Sequence, residues 1–186
     1  NWWKGTKGFR QVRENLYVYS PLILPFPYST VACWINRGFL VRALRRWMEA
    51  IGFRRPIVWT FLPTPIVHEL IRELDPEVTI YYCIDDLASS SPQARRIRRS
   101  ETQLFRRADL VFVTSEKLRE RAAQHNDQVH FFPFGVDFET FAKIRGGSDD
   151  VPADLRAIAR PVIGYVGGIH QWLDQDLLST VAARLP

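Results

Sequence analysis

Thr79-Ile80-Tyr81-Tyr82-Cys83-Ile84-Asp85-Asp86 is the stretch on which the reading of the fold turns. An uncharged run rich in β-branched and aromatic side chains stops at two adjacent carboxylates. That is how a buried strand of a parallel sheet reads, because both faces of such a sheet are normally covered. Similar apolar runs occupy 57–62, 110–114, 129–132 and 162–166. Helical spacing fills the gaps between them. Phe39, Leu40, Ala43, Leu44, Trp47, Met48 and Ile51 form one wide stripe opposite Arg42, Arg45, Arg46 and Glu49. Gly52 then supplies a C-terminal cap. Thr64-Pro65 reads as an N-cap with proline in the first turn, leading into Ile66, Val67, Leu70, Ile71 and Leu74. Another helix is expected from Ser91-Pro92 to Arg107, and a fourth after Ser115 with Leu118 and Ala122 inward. Strands alternating with helices predict right-handed β-α-β units and an α/β fold.

Near the end of the chain, Val162-Ile163-Gly164-Tyr165-Val166 runs into Gly167-Gly168. A helical pattern follows at Leu173, Leu177, Leu178, Val181, Ala182 and Leu185. Strand, glycine turn and helix can aim backbone N–H groups at an anion, usually a phosphate. Both glycines would equally suit an ordinary tight turn, since neither carries a Cβ. Residues 145–152, with Gly146, Gly147, Ser148, Asp149 and Asp150, read as the linker. The expected organisation is therefore a domain over 1–145, a linker at 146–152 and the start of a second domain over 153–186.

The 186 residues suffice for one full domain and part of another, and 46% hydrophobic content supports a packed core. Asn1 in place of Met is read as a processed or excerpted start. Residues 16–35 are apolar enough to attract attention, but Pro21, Pro25 and Pro27 make an aromatic-rich loop the better reading than a membrane span. Cys33 and Cys83 lack metal-ligand spacing and suit small core positions in a reducing compartment, with the cytoplasm as default. A net charge of +5 suits polyanions, phosphorylated substrates or an anionic membrane face without choosing among them. No repeat or low-complexity tract is present.

Asp85 and Asp86 follow the carboxyl end of a strand, the edge at which open α/β sheets bind ligands. A carboxylate there can orient a hydroxyl or stabilise a cationic transition state, or it can simply cap the following turn. His68 lies early in its helix and is expected to face the same crevice, while His125 and His130 flank a turn and read as structural. No His or carboxylate pair forms a metal constellation. Arg95, Arg96, Arg98, Arg99, Arg106 and Arg107 spread around one helix and read as a solvated surface partly paired with Glu101. Arg42, Arg45, Arg46, Arg54 and Arg55 form a second basic region beside Trp47 and Phe53. Either set could meet anionic lipid.

The order of several motifs carries a resemblance. Ala108-Asp109-Leu110-Val111-Phe112-Val113-Thr114-Ser115 is followed by Phe132-Pro133-Phe134-Gly135-Val136-Asp137-Phe138, then by Gly164-Tyr165-Val166-Gly167-Gly168. With Ile57-Val58-Trp59-Thr60-Phe61-Leu62-Pro63 and Tyr82-Cys83-Ile84-Asp85-Asp86, this resembles family 4 (group 1) nucleotide-sugar-dependent glycosyltransferases of GT-B architecture, teichuronic-acid or exopolysaccharide type. The likeness covers most of residues 14–186. It implies a Rossmann-like parallel sheet flanked by helices, an N-terminal GT-B domain without its opening strand, plus the first strand, turn and helix of a second Rossmann-like domain. The family's opening glycine-rich loop and its donor-binding acidic pair are not in the sequence, so this piece by itself is expected to be inactive.

On that resemblance, Asp85 or Asp86 serves catalysis from the acceptor side. Gly167, Gly168 and His170 contact the donor diphosphate across an interdomain gap. Phe134 stands where family members often have Asn, and Asp137 sets the route toward the hinge. The implied activity is hexosyl transfer, with retention, from a nucleotide-diphosphate sugar to a cell-wall, exopolysaccharide or lipid-linked acceptor. No cofactor is implied, since the nucleotide sugar is a substrate. The expected partners are that donor, a glycan or lipid-linked acceptor and an anionic membrane surface at the inner face, without nucleic acid. The competing expectations are a nucleotide-sugar epimerase of the same fold and a non-enzymatic basic module that binds membrane or nucleic acid.

Overall fold

The computed structural model describes residues 8–89, 93–145, 151–159, 162–169 and 173–184, excluding the side chains of residues 93, 94, 144 and 145. The chain divides into two compact units, Asn1–Gly135 and Val136–Pro186. The expected linker at 146–152 falls inside the second unit, and its residues 146–150 lie outside the described ones.

The first unit opens with an antiparallel hairpin, β1 (Phe9–Arg13) and β2 (Leu16–Tyr19), whose register shifts between Gln11 and Arg13. The chain reverses at Glu14-Asn15, where Asn15 takes a φ of 58°, a conformation asparagine tolerates better than most residues. Helix α1 (Thr30–Ala50) starts at Ser29, whose hydroxyl accepts from the Ala32 N–H. Strand and helix thus take the two ends of the stretch 16–35, and the expected loop is confined to 20–29. Prolines exclude regular structure only locally, and the three here all fall between β2 and α1. At the other end of α1, Gly52 at φ 68° lets Phe53 N–H reach the Met48 carbonyl at 2.8 Å, closing the helix as expected.

β3 (Ile57–Thr60), α2 (Pro65–Leu74), β4 (Val78–Cys83), α3 (Ile97–Arg107), β5 (Leu110–Val113), α4 (Glu116–Ala123) and β6 (Val129–Phe131) follow in turn. The strands form a four-stranded parallel sheet in the order β3-β4-β5-β6, a Rossmann-like α/β arrangement. Thr64 sits at the N-cap of α2 with Pro65 behind it, although its side chain makes no capping bond. Ser115 does cap α4, accepting from Leu118 N–H at 3.3 Å. A 3-10 turn at Gln93–Arg96 precedes α3, so the α-helix begins later than Ser91-Pro92, which lie outside the described residues.

Among the described residues the crossover helices cover only one face of the sheet, correcting the expectation of cover on both. Strand order explains this. Strands that advance in one direction through right-handed crossovers put every crossover helix on the same side. On that side Ile71, Tyr81, Leu104, Phe105, Val111 and Val113 form a core whose members are at most 3% exposed. On the other side Trp59, Tyr82, Phe112 and Phe132 make a row of aromatic rings, with centroids 5.4 Å apart for Trp59–Phe112 and 5.6 Å for Phe112–Phe132. Trp59 stays 52% exposed and Phe132 57%.

Helix α1 packs against α2, tied by Arg37 to Glu69 and Glu73 and by Arg45 to Glu73. The hairpin closes over the far end of α1, where Phe9 stacks on Trp47 at 4.8 Å.

The second unit contains α5 (Phe138–Arg145), the short α6 (Ala153–Arg156) and α7 (Gln175–Arg184). The strand expected at 162–166 does not form: those residues pair with no other strand and are exposed. A strand exists only through a neighbour's hydrogen bonds, and no strand is present among the described residues of this unit.

Candidate functional site

The carboxyl ends of the parallel strands bring together the loops that leave them, and this edge holds the polar chemistry of the first unit. A hydrogen bond from the Thr114 hydroxyl to the Ile84 carbonyl, 2.8 Å, fastens the exit of β5 to that of β4. Directly after β4 come Asp85 and Asp86, adjacent in sequence but different in surroundings.

Asp86 is occupied. Arg121 Nη1 lies 2.6 Å from its Oδ1, and the Ser89 hydroxyl donates to its Oδ2 at 2.6 Å. The Ser89 bond, with Arg121 behind it, holds the Asp86 carboxyl below the usual carboxylate range. Arg121 Nη2 reaches Glu101 Oε2 at 3.1 Å, and the Tyr81 hydroxyl donates to Glu101 Oε1 at 2.9 Å. The Cys83 thiol points to the same Glu101 oxygen, and the guanidinium carbon stands 5.8 Å from the Phe105 ring centre. Glu101 is 2% exposed. Burial raises its pKa despite Arg121, and burial likewise pushes the Cys83 thiol up to about 11 and Tyr81 upward. The result is a closed chain, Tyr81–Glu101–Arg121–Asp86–Ser89, that runs from the core to the sheet edge. Arg121 Nε, like Trp47 Nε1 under the hairpin, is a buried side-chain nitrogen without a hydrogen-bond partner among the described residues.

Asp85 differs. It is exposed, and among the described residues its carboxylate takes one hydrogen bond, from the Asp86 N–H to Oδ1 at 2.7 Å, and none at its second oxygen. Exposed Phe61 and Leu62 leave β3 on one side of the same edge, and exposed Phe132 and Phe134 leave β6 on the other. Phe134 stacks edgewise toward Tyr82 at 6.4 Å, so its place in the motif is filled by a packing residue. The described strands never reverse their order, so this edge is an open ledge rather than a switch-point crevice.

His68 does not face that ledge. Its Nε2–H points to the Ser100 carbonyl at 2.9 Å, so it ties α2 to α3, and burial lowers its pKa. Glu101 does not pair with the surface arginines of α3 either, because Arg121 has claimed it from inside. Arg95, Arg96, Arg98, Arg99, Arg106 and Arg107 are all exposed.

In the second unit, Gly167 serves its own neighbour. A Cβ there would come within 2.7 Å of the Tyr165 hydroxyl, which donates to the Gly168 carbonyl at 3.0 Å. Helix α7 does not leave this turn directly, and Asp174 already caps it, accepting from Leu177 N–H at 2.8 Å. An anion cannot use that amide while the carboxylate holds it. His170 lies outside the described residues. Asp137 caps α5 through Thr140, whose hydroxyl donates at 2.6 Å and lowers the Asp137 pKa.

The network residues Tyr81, Glu101, Arg121 and Ser89 were not candidates from sequence, yet two signals marked them. Tyr81 lies on the inward alternation of its strand, where a hydroxyl needs a partner. Glu101 lies four residues after Ile97 and three before Leu104, inside the apolar stripe of α3. Among the described residues no three His, Cys, Asp or Glu side chains converge as a metal site, and no helix is long and apolar enough to cross a membrane. Compared with known proteins, the chain matches no protein-family model and no curated protein.

Proposed function

We propose that this chain belongs to an enzyme that transfers a hexosyl group from a nucleotide-diphosphate sugar to a glycan or lipid-linked acceptor, with Asp85 as the carboxylate that meets the acceptor. The observation that carries this reading is the open carboxylate of Asp85 at the carboxyl edge of a parallel sheet, held in place by a neighbour locked to Arg121. Exposed rings at Phe61, Phe132 and Phe134 offer apolar faces on which a sugar ring can stack beside it. In the reaction the acceptor hydroxyl oxygen bonds to the anomeric carbon as the bond from that carbon to the phosphate oxygen breaks. The hydroxyl proton passes to the departing diphosphate.

Asp85 accepts a hydrogen bond from the hydroxyl before transfer and stabilises positive charge on the sugar during it. Asp86 holds the 85–89 loop in shape through Ser89 and Arg121 and does not act on substrate. The donor diphosphate is assigned to Gly167, Gly168 and His170 on the motif order alone, since Tyr165 and Asp174 occupy polar groups of that region.

The test is to incubate the intact protein that contains this chain with nucleotide-diphosphate sugars, with and without an acceptor extract. Acceptor-dependent release of nucleoside diphosphate supports transfer. Conversion of the sugar without an acceptor points to epimerisation, and absence of donor binding removes both readings.

A further inference from the structure

Two helices begin side by side at the carboxyl edge of the sheet. Arg37 of α1 reaches Glu69 of α2, and Arg45, further along α1, reaches Glu73, so the two helices run in the same direction. Helix α2 starts directly after the loop that leaves β3, which puts both helix starts at the edge that carries Asp85. Between these starts and the proline-rich loop lies a pocket of about 420 Å³, within the roughly 300–1,000 Å³ of ligand sites.

Its walls are fixed before any ligand arrives. The Asn36 side chain bonds both the N–H and the carbonyl of Leu24, at 2.9 and 3.1 Å, and the Cys33 thiol donates to the Pro27 carbonyl at 3.1 Å. Those bonds hold the loop along α1, so little ordering is left for binding to impose.

The lining selects the ligand. Tyr28, Trp34 and Pro65 present apolar surface, and Trp34 is 68% exposed. Arg37 and Glu69 are the charged groups of the lining, one of each sign, and they already face each other at 3.4 Å. An anion would meet Glu69 and a cation would meet Arg37, so charge favours neither. A wholly apolar ligand would strip water from that ion pair and replace it with nothing. Hydrogen-bonding capacity is left over, because among the described residues the Arg37 side chain bonds only through Nη1 and the Glu69 side chain only through Oε2. The hydroxyls of Tyr28 and Thr30 make no hydrogen bond among the described residues either. The matching ligand is uncharged, carries several hydroxyls and has a face of C–H groups to lay on the indole. A pyranose has all three properties.

We infer that this pocket binds an uncharged sugar unit of a saccharide chain, as a subsite set apart from the ledge at Asp85. Calling that chain the acceptor rests on the sugar-transfer reading. The acceptor is then a glycan of several units, and the pocket holds a unit remote from the reacting hydroxyl. Sugar binding itself needs no donor, so its test contains no nucleotide sugar.

The measurement is isothermal titration of the full chain with three neutral tetrasaccharides (cellotetraose, maltotetraose and chitotetraose), with adenosine and with glucose 6-phosphate. Adenosine is the planar uncharged alternative. Glucose 6-phosphate is the anionic one, since exposed Arg96 stands near Tyr28. We expect a neutral tetrasaccharide to bind more tightly than either. Trp34→Ala should weaken that binding about tenfold, through loss of the stacked ring. Glu69→Gln should weaken it about fivefold, the difference between a charged and a neutral acceptor. Trp59→Ala, on the open face of the sheet, should change it less than about twofold. Far-UV circular dichroism checks each fold, and should Trp34→Ala fail to fold, Glu69→Gln decides alone. Absence of binding by all three tetrasaccharides overturns the inference, as does tighter binding of adenosine or glucose 6-phosphate, or equal loss from Trp59→Ala. In transfer to a tetrasaccharide by the intact protein, Trp34→Ala should raise the acceptor KM and leave kcat within about twofold. An unchanged KM would overturn the assignment of the pocket to the acceptor. Tetrasaccharide binding without any transfer would strike the reaction and leave the sugar pocket standing.

Discussion

The helix-covered and open faces of the sheet are built from alternate residues of the same strands, yet they solve different problems. Tyr81 and Cys83 face the helices and are sealed, so the tyrosine hydroxyl must be satisfied inside the protein, and Glu101 with Arg121 does this. Tyr82, one residue away, faces outward among Trp59, Phe112 and Phe132 and needs no such arrangement. A buried polar group enforces a specific partner, whereas an exposed aromatic row constrains little beyond its own stacking. The covered face therefore fixes the shape of the Asp85–Ser89 loop, and the open face does not.

The largest difference between the faces should appear in the core. Phe105→Ala, on a ring 1% exposed beneath the sheet, should cost about 3–5 kcal/mol in urea unfolding. Arg121→Met comes next. It strands the buried Glu101 carboxylate without its cation and should cost about 3 kcal/mol, much of which returns when Glu101→Gln is added. Full additivity of those two changes would show that the network is not a unit. On the open face Trp59→Ser should cost under about 1 kcal/mol, since half of that ring already meets water. A loss there as large as at Phe105 would mean that the open face is packed in solution.

The smallest effect concerns pH. Folded His68 takes up a proton less readily than the unfolded chain, because burial lowers its pKa from the ordinary 6.5. As pH falls below 6.5 the unfolded state gains a proton that the folded state resists, so stability declines in that window. Denaturation at neutral and at mildly acidic pH should show this slope, and His68→Gln should flatten it. Asp86 has the lowered carboxylate case: its contribution persists above the ordinary value of 3.8 and disappears only as pH falls through its lower folded value.

Much of the sheet was legible because its cues are local. The runs at 57–62, 79–84, 110–114 and 129–132 each mark a strand to within a residue or two, and Thr64-Pro65 and Ser115 mark helix starts. The hairpin was hidden by the prolines that follow it, although Leu16-Tyr17-Val18-Tyr19 has strand-forming residues throughout. The unpaired stretch at 162–166 failed in the other direction, since apolar residues of strand type do not supply a neighbour. Strand order cannot be read from periodicity, so neither could the open face. Asp85 and Asp86 were visible as a pair, but their division of roles depends on Arg121, which lies 35 residues away in sequence.

That division is where the functional account is most exposed to test. The direct measurement is acceptor-dependent sugar transfer by the intact protein carrying Asp85→Asn or Asp86→Asn, each with a urea melt. We expect Asp85→Asn to cut turnover by about 10²–10⁴-fold while stability stays within about 0.5 kcal/mol. Asp86→Asn should lower stability, with turnover falling only as far as loosening of the loop requires. Full turnover in Asp85→Asn, or loss of turnover confined to Asp86→Asn, would contradict the assignment of Asp85 as the carboxylate that meets the acceptor.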